Sequence, residues 1–251
     1  MRITRRNNNT NKDYWHDRWD SLPPDEAMNN KEVYPLKFSE MTIQNKEGKI
    51  LEAGCGAGRI LRYYHNNGYS IEGFDYIENA INKLREIDST LDIEVADICN
   101  LPYKDNSFDY ILAFGLYHNL ENNLDKAIDE TARVLKEGGR VCASFRADNF
   151  QNRINDYLAG RNEKGKFFHK LNLTQREFTT LLSDSGFRVK ELHLVVNMPL
   201  LYKFRIFRHQ DHKDFNENLG RKEGYKLSIS GNLLYKILIK IMPAQFCNLY
   251  V

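Results

Sequence analysis

The sequence is short of several things, and each shortage excludes a class of protein. It has four cysteines, Cys55, Cys99, Cys142 and Cys247, with no C-x-x-C pair among them. A zinc site built on such a pair is therefore excluded, and the scattered thiols fit a reduced, cytoplasmic chain better than a disulfide framework. The first twelve residues are polar, carry four asparagines and contain no apolar core segment, so they do not read as a secretory signal. They are expected to be a disordered lead-in, 1–12. The most apolar run, Leu233–Met242, is broken by Lys236 and Lys240 and is too short to span a bilayer. A buried helix is the expected form there, with an interfacial helix as the alternative. Net charge is only +2, which does not mark a nucleic-acid binder by itself.

What is present is an alternation. Lys49–Ala53, Ser70–Asp75, Asp92–Ala96, Phe108–Phe114 and Arg140–Phe145 read as buried strands. Helix-like stretches, Arg59–Asn67, Ile77–Ile87 and Leu124–Leu135, fall between most of them. That rhythm predicts an α/β, doubly wound, mostly parallel sheet with helices on both faces and right-handed crossovers. Leu173–Ser185 reads as a further helix with Thr174 as N-cap and Glu177 completing a capping box. Arg188–Val196 and Phe246–Val251 are expected to pair as strands. Asp148–His169 reads as polar and irregular, and Met198–Gly231 as basic, aromatic and weakly periodic.

Charge divides unevenly. Residues 1–150 hold 19 Lys and Arg against 25 Asp and Glu, whereas 151–251 hold 17 against 9. A basic second half fits an anionic substrate, a membrane surface or RNA, or simply a solvated face.

Ligands of doubly wound sheets lie beyond the carboxyl ends of the strands. Just after the first strand comes Glu52-Ala53-Gly54-Cys55-Gly56-Ala57-Gly58, opening a helix. Alternate glycines permit positive φ and close approach of a ligand, and the helix start offers free amides and a positive dipole end. The spacing is G-x-G-x-G, neither the G-x-G-x-x-G of dinucleotide binders nor a phosphate loop ending in G-K-[ST]. Adenosine without pyrophosphate fits better. Asp75, at the end of the second strand, suits both hydroxyls of a ribose. Asp97, after the third, suits an exocyclic amine such as that of adenine, with Ile98 packing on the ring; the plain alternative is a turn aspartate.

These segments resemble the class I S-adenosylmethionine-dependent methyltransferases, particularly their small-molecule branch. Ile50–Arg59, Gly73–Ile81, Val95–Phe114 and Arg133–Val141 are similar to the family's successive motifs. The resemblance implies a seven-stranded sheet with the last strand antiparallel. It implies that Glu52, Ala53, Gly54, Cys55, Gly56 and Gly58 hold the methionine part of S-adenosyl-L-methionine. Asp75 would hold the ribose with Tyr76 beside it, Asp97 and Ile98 would frame the adenine, and Phe114 and Gly115 would line the sulfonium. The aromatic stretch Tyr14–Trp19 looks like a leading helix that closes over the cofactor. Tyr14 and Trp19 there offer cation–π faces, or serve only as a hydrophobic dock.

Methyl transfer is an in-line displacement governed by placement, leaving S-adenosyl-L-homocysteine as product. His118 and Tyr117, after the fourth strand, are the candidates for a base, and Arg146 for holding an anionic group. His169 is a further candidate in the pocket cap. The strand exit reads AFGLYHN and lacks the N/D-P-P-Y/F pattern of amino-methylating nucleic-acid enzymes, which argues against DNA as substrate. No metal ligand set is expected. The domain expectation is 13–197 with 246–251 as the cofactor domain and 198–245 as an insertion capping the substrate. The acceptor is expected to be a small, anionic or amphipathic molecule. RNA remains open on Lys203, Arg205, Arg208, Arg221 and Lys222 interleaved with Tyr202, Phe204 and Phe207. A binding protein without catalysis is the other alternative.

Overall fold

A computed structural model describes residues 1–21, 27–161, 164–216 and 224–251. Its centre is a five-stranded parallel sheet in the order β4-β3-β2-β5-β6. The strands are β2 (Ile50–Ala53), β3 (Ile71–Asp75), β4 (Asp92–Val95), β5 (Phe108–Ala113) and β6 (Leu135–Ala143). β2 is buried along its whole length, as a strand covered on both faces must be. Alternate residues enter two separate cores. Ile50 and Leu112 join α2 (Leu36–Thr42), α3 (Arg59–Asn66) and α4 (Glu78–Ile87) through Leu36, Ile60, Leu61, Ile81 and Leu84. Leu51, Ile111 and Ala113 join α5 (Leu124–Val134) and α7 (Gln175–Asp184) through Ala127, Ile128, Val134 and Phe178. The chain is doubly wound because of that alternation.

The seven strands expected in one sheet divide into two sets among the described residues. After a break at Ser144, β7 (Phe145–Arg146) enters a three-stranded antiparallel sheet, β7-β10-β9. There β10 (Leu249–Tyr250) pairs with both β7 and β9 (Leu194–Val195). The expected pairing of the last strand with the Arg188–Val196 segment is thus present, but only over two residues.

Three further expectations are corrected. The start of the chain is not a disordered lead-in, because β1 (Arg2–Arg6) pairs antiparallel with β8 (Phe167–Asn172). It carries only one apolar side chain, Ile3, and its tie is backbone pairing plus a buried Thr4, which no hydrophobic pattern reveals. The irregular stretch contains α6 (Phe150–Leu158), N-capped by Asn149. The buried face of α6 is Gln151, Asn152, Asn155 and Asp156, so it has no apolar period to read. The apolar run near the end is a helix, α8 (Ile229–Ile241), but Ile229, Leu233, Ile237 and Ile241 are exposed. Its inward side, with Tyr235, packs on a small core of Leu200, Leu201, Tyr202, Leu227 and Phe246. Among the described residues, no helix is long and apolar enough to cross a membrane.

Candidate active site

The glycine turn between β2 and α3 is built as its sequence demands. Gly54, Gly56 and Gly58 have φ of 71°, 51° and 69°, a region that strains any L side chain. A Cβ on Gly54 would lie 3.0 Å from Leu116, and one on Gly56 2.6 Å from Trp19. The turn is therefore a backbone cradle, closed from outside by Leu116 and by α1 (Asn11–Ser21). Cys55 turns inward, its backbone N–H donating to the Phe74 carbonyl, so only its main chain faces the turn. Ala53 is likewise buried in the sheet.

Two carboxylates organise this turn. Asp75, at the tip of β3, accepts from the Gly56 N–H and the Ile77 N–H, both at 2.9 Å. An ionised carboxylate accepts at about four sites, so each oxygen keeps a lone pair for a ribose hydroxyl. Burial raises the Asp75 carboxyl above its ordinary range. Glu52 accepts from the Leu61 N–H at 2.7 Å, satisfying an orphan amide in the first turn of α3. Burial, with the field of Asp75, pushes the Glu52 carboxyl up to about 8. Glu52 thus shapes the turn from beneath. The glycine cradle with Asp75 beside it fits an adenosyl ligand.

The remaining expected cofactor residues divide. Tyr76 is exposed beside the turn, with the Lys12 ammonium 5.1 Å from its ring centre. Asp97 makes a local turn, accepting from the Cys99 N–H at 2.9 Å. Ile98 is buried in the main core. Phe114 packs edge-on against Tyr34, and Gly115, with φ of 74°, donates its N–H to the Ser144 hydroxyl at 2.8 Å. Tyr14 and Trp19 lie half-buried on α1, Trp19 stacked on Trp15.

The three candidate catalytic residues separate more sharply. Tyr117 is buried with its hydroxyl on Thr131 at 2.8 Å, pointing into the core and away from chemistry. Arg146 gives both terminal nitrogens to Asp156, at 2.8 and 2.9 Å, and is taken up structurally. His118 stays in play. It is 6% exposed, lies against the Phe145 ring and leaves Nδ1 buried with no partner. Burial, with Lys170 and Arg146, holds it neutral, well below the usual imidazole range. His169 bonds the Thr4 hydroxyl at 3.0 Å and is likewise kept neutral by burial.

Sequence reasoning missed Ser144, Asn119 and Lys170. Buried Ser144 joins Gly115 to the Tyr34 hydroxyl at the ends of β5 and β6. Asn119 donates to the Gly115 carbonyl and accepts from Lys170. A short polar residue at a strand exit was the available signal for Ser144 and Asn119. Lys170 had none, since it reaches the site only through β1–β8 pairing. Of the basic and aromatic candidates, Arg208 is buried on the carbonyls of Tyr202, Lys203 and Lys213, and Tyr202 lies in the small core. Arg221 and Lys222 lie outside the described residues.

Comparison with known proteins agrees with this geometry. Residues 51–143 match the family model described as "Methyltransferase domain". The chain is 30% identical over 142 residues to a Mycolicibacterium smegmatis protein named "Probable S-adenosylmethionine-dependent methyltransferase", covering 57% of this chain and 52% of that one. It is 32% identical over 132 residues to the Arabidopsis thaliana tRNA (carboxymethyluridine(34)-5-O)-methyltransferase, covering 52% and 32%. The chain thus spans about half, or less, of the curated relatives it matches here. A SAM-dependent methyltransferase from Archaeoglobus fulgidus shares the fold at a TM-score of 0.57 and 16% identity, covering 86% of this chain and 88% of that one. Residues 51–143, which hold the glycine cradle and Asp75, thus form a methyltransferase domain similar to those of S-adenosylmethionine-dependent methyltransferases.

Proposed function

We propose that the chain transfers a methyl group to an oxygen or nitrogen of a small acceptor molecule by in-line displacement. The carrying observation is the 2.9 Å hydrogen bond from the Gly56 N–H to Asp75, which sets the glycine cradle and the ribose acid side by side. S-adenosylmethionine supplies an electrophilic methyl on a sulfonium, and its neutral thioether leaves with the bonding pair. Asp75 holds the ribose, the glycine turn admits the methionine part, and Trp19 offers its face to the positive sulfur. Gly115 and Asn119 border the methyl side. His118, neutral and with Nδ1 free, takes the proton of an attacking hydroxyl or amine.

Calorimetry with S-adenosylhomocysteine tests the cofactor half, and mass analysis of metabolites incubated with labelled cofactor tests the acceptor half. Absence of binding to the folded chain would sink the reading. Binding without transfer to any metabolite would favour a non-catalytic binding protein.

A second reading, an RNA acceptor, draws on the Arabidopsis relative's tRNA activity and on the basic second half. Against it, Tyr202 and Arg208 are consumed inside the fold. Steeply salt-dependent retention on heparin favours RNA, and flow-through at low salt counts against it.

A further inference from the structure

Beneath α1, cationic side chains from separate elements gather on the acceptor side of Gly115. Lys170 comes from β8, Arg6 from β1, and Arg161 from the turn after α6. The Lys170 ammonium lies 5.4 Å from the Trp15 ring centre and reaches Asn119. The Arg6 guanidinium lies 4.1 Å from the Tyr14 ring centre, and its Nε is buried without a partner. Burial, and then the like charges of Arg146, Arg161, Arg6 and Arg18, hold the Lys170 amine well below its ordinary range, a shift that a bound anion would reverse. Among the described residues, neither Lys170 nor Arg6 has a carboxylate within ion-pair distance; the nearby Asp156 is held by Arg2 and Arg146. Confined like charges oppose folding, so this gathering has a cost that a bound anion would offset.

A second feature faces the same layer. His118 sits one residue before Asn119, is more than nine-tenths buried, and keeps Nδ1 unpartnered. With the proton of the neutral ring on Nε2, the unpartnered Nδ1 is its lone-pair side. It therefore accepts a hydrogen bond and would repel an oxyanion. The two features ask for different parts of one molecule.

We propose that this layer is an acceptor subsite for a molecule bearing an oxyanion, carboxylate or phosphate, beside the protic group that is methylated. Lys170 and the Arg6 Nε–H donate to the oxyanion, and His118 Nδ1 accepts from the O–H or N–H. As the methyl carbon bonds to the acceptor atom and the carbon–sulfur pair returns to sulfur, the proton passes to Nδ1. The oxyanion also offsets the Lys170 field, which makes His118 a better base when the acceptor is seated. This rests on the methyltransferase reading.

The chain's only two tryptophans, Trp15 and Trp19, both lie on α1 over this layer, so their emission reports on it. The full chain is titrated with sodium phosphate and with sodium acetate against sodium chloride at constant ionic strength. The expected result is a saturable emission change with one oxyanion and none with chloride. Stronger binding of phosphate marks a phosphoryl-bearing acceptor, and stronger binding of acetate a carboxylate. Lys170→Met and Arg6→Gln should each weaken it about tenfold while S-adenosylhomocysteine affinity by calorimetry stays within about twofold. Arg6→Gln changes a half-exposed head and serves where Lys170→Met melts below working temperature. A phosphate and acetate response no different from chloride, or variants that titrate like the parent, would overturn the subsite while cofactor binding stands. Failure of the parent to bind S-adenosylhomocysteine is the separate signal against the methyltransferase reading.

Discussion

Asp75 is the residue on which most depends, because its two oxygens already hold the Gly56 and Ile77 amides in place. Asp75→Ala should lower S-adenosylhomocysteine affinity at least about a hundredfold, the scale of two charge-assisted hydrogen bonds lost. Unchanged affinity by calorimetry in a folded variant would remove the ribose assignment. His118→Ala should cut turnover about a hundredfold and leave cofactor affinity intact; parental turnover would exclude it as a base. Glu52 gives a pH signature. Its carboxyl is raised from 4.5 to about 8, so the folded chain holds that proton more tightly than the unfolded chain does. Its contribution to stability is present below about pH 4.5 and lost as pH rises through about 8. The melting temperature should therefore fall across that window, and Glu52→Gln should flatten the fall. Asp75, raised in the same sense, leaves a remainder. Parallel profiles for the two proteins would show that Glu52 is not the group involved.

Among the elements, those with an apolar period were legible and those tied by polar groups were not. β2, β5, α3 and α4 announce themselves because they bury hydrocarbon on a regular spacing. α7 was legible for another reason: Thr174 and Glu177 write its start into the sequence, and both arms of the capping box are present. Thr174→Ala should cost about 1 kcal/mol, a fall of about 2–4 °C in melting temperature for a chain of this size. No change in a scanning melt would show the cap to be redundant. By contrast β1 and α6 bury Thr4, Asn152 and Asp156, whose partners are His169, main-chain carbonyls, and Arg2 with Arg146. Nothing local encodes such pairing. The same reason hid Lys170, whereas the glycine turn and Asp75 were legible because the backbone conformation and strand end that they need are local.

At the scale of the whole molecule, buried ion pairs wire the two halves of the chain together. Arg146 on β7 and Arg2 on β1 converge on Asp156 of α6, whose side chain is 2% exposed. Arg2 and Arg153 also hold Asp148. One carboxylate thus fastens the first strand of the chain, the antiparallel sheet and the helix that supports the C-terminal small core through Gln151 and Tyr235. Removing one partner of a buried pair leaves the other charge uncompensated, at about 3–5 kcal/mol. Asp156→Asn keeps the shape but strands two guanidiniums, so the melting temperature should drop on the order of 10 °C. Asp148→Asn should cost less, because Arg153 is mostly exposed and can turn to water. Limited proteolysis separates this from a local defect. If Asp156 joins the two ends of the chain, Asp156→Asn should expose both the β1 strand and the α8 segment to cleavage while the parallel sheet resists. Cleavage confined to α6 would show that Asp156 serves its own helix and nothing larger.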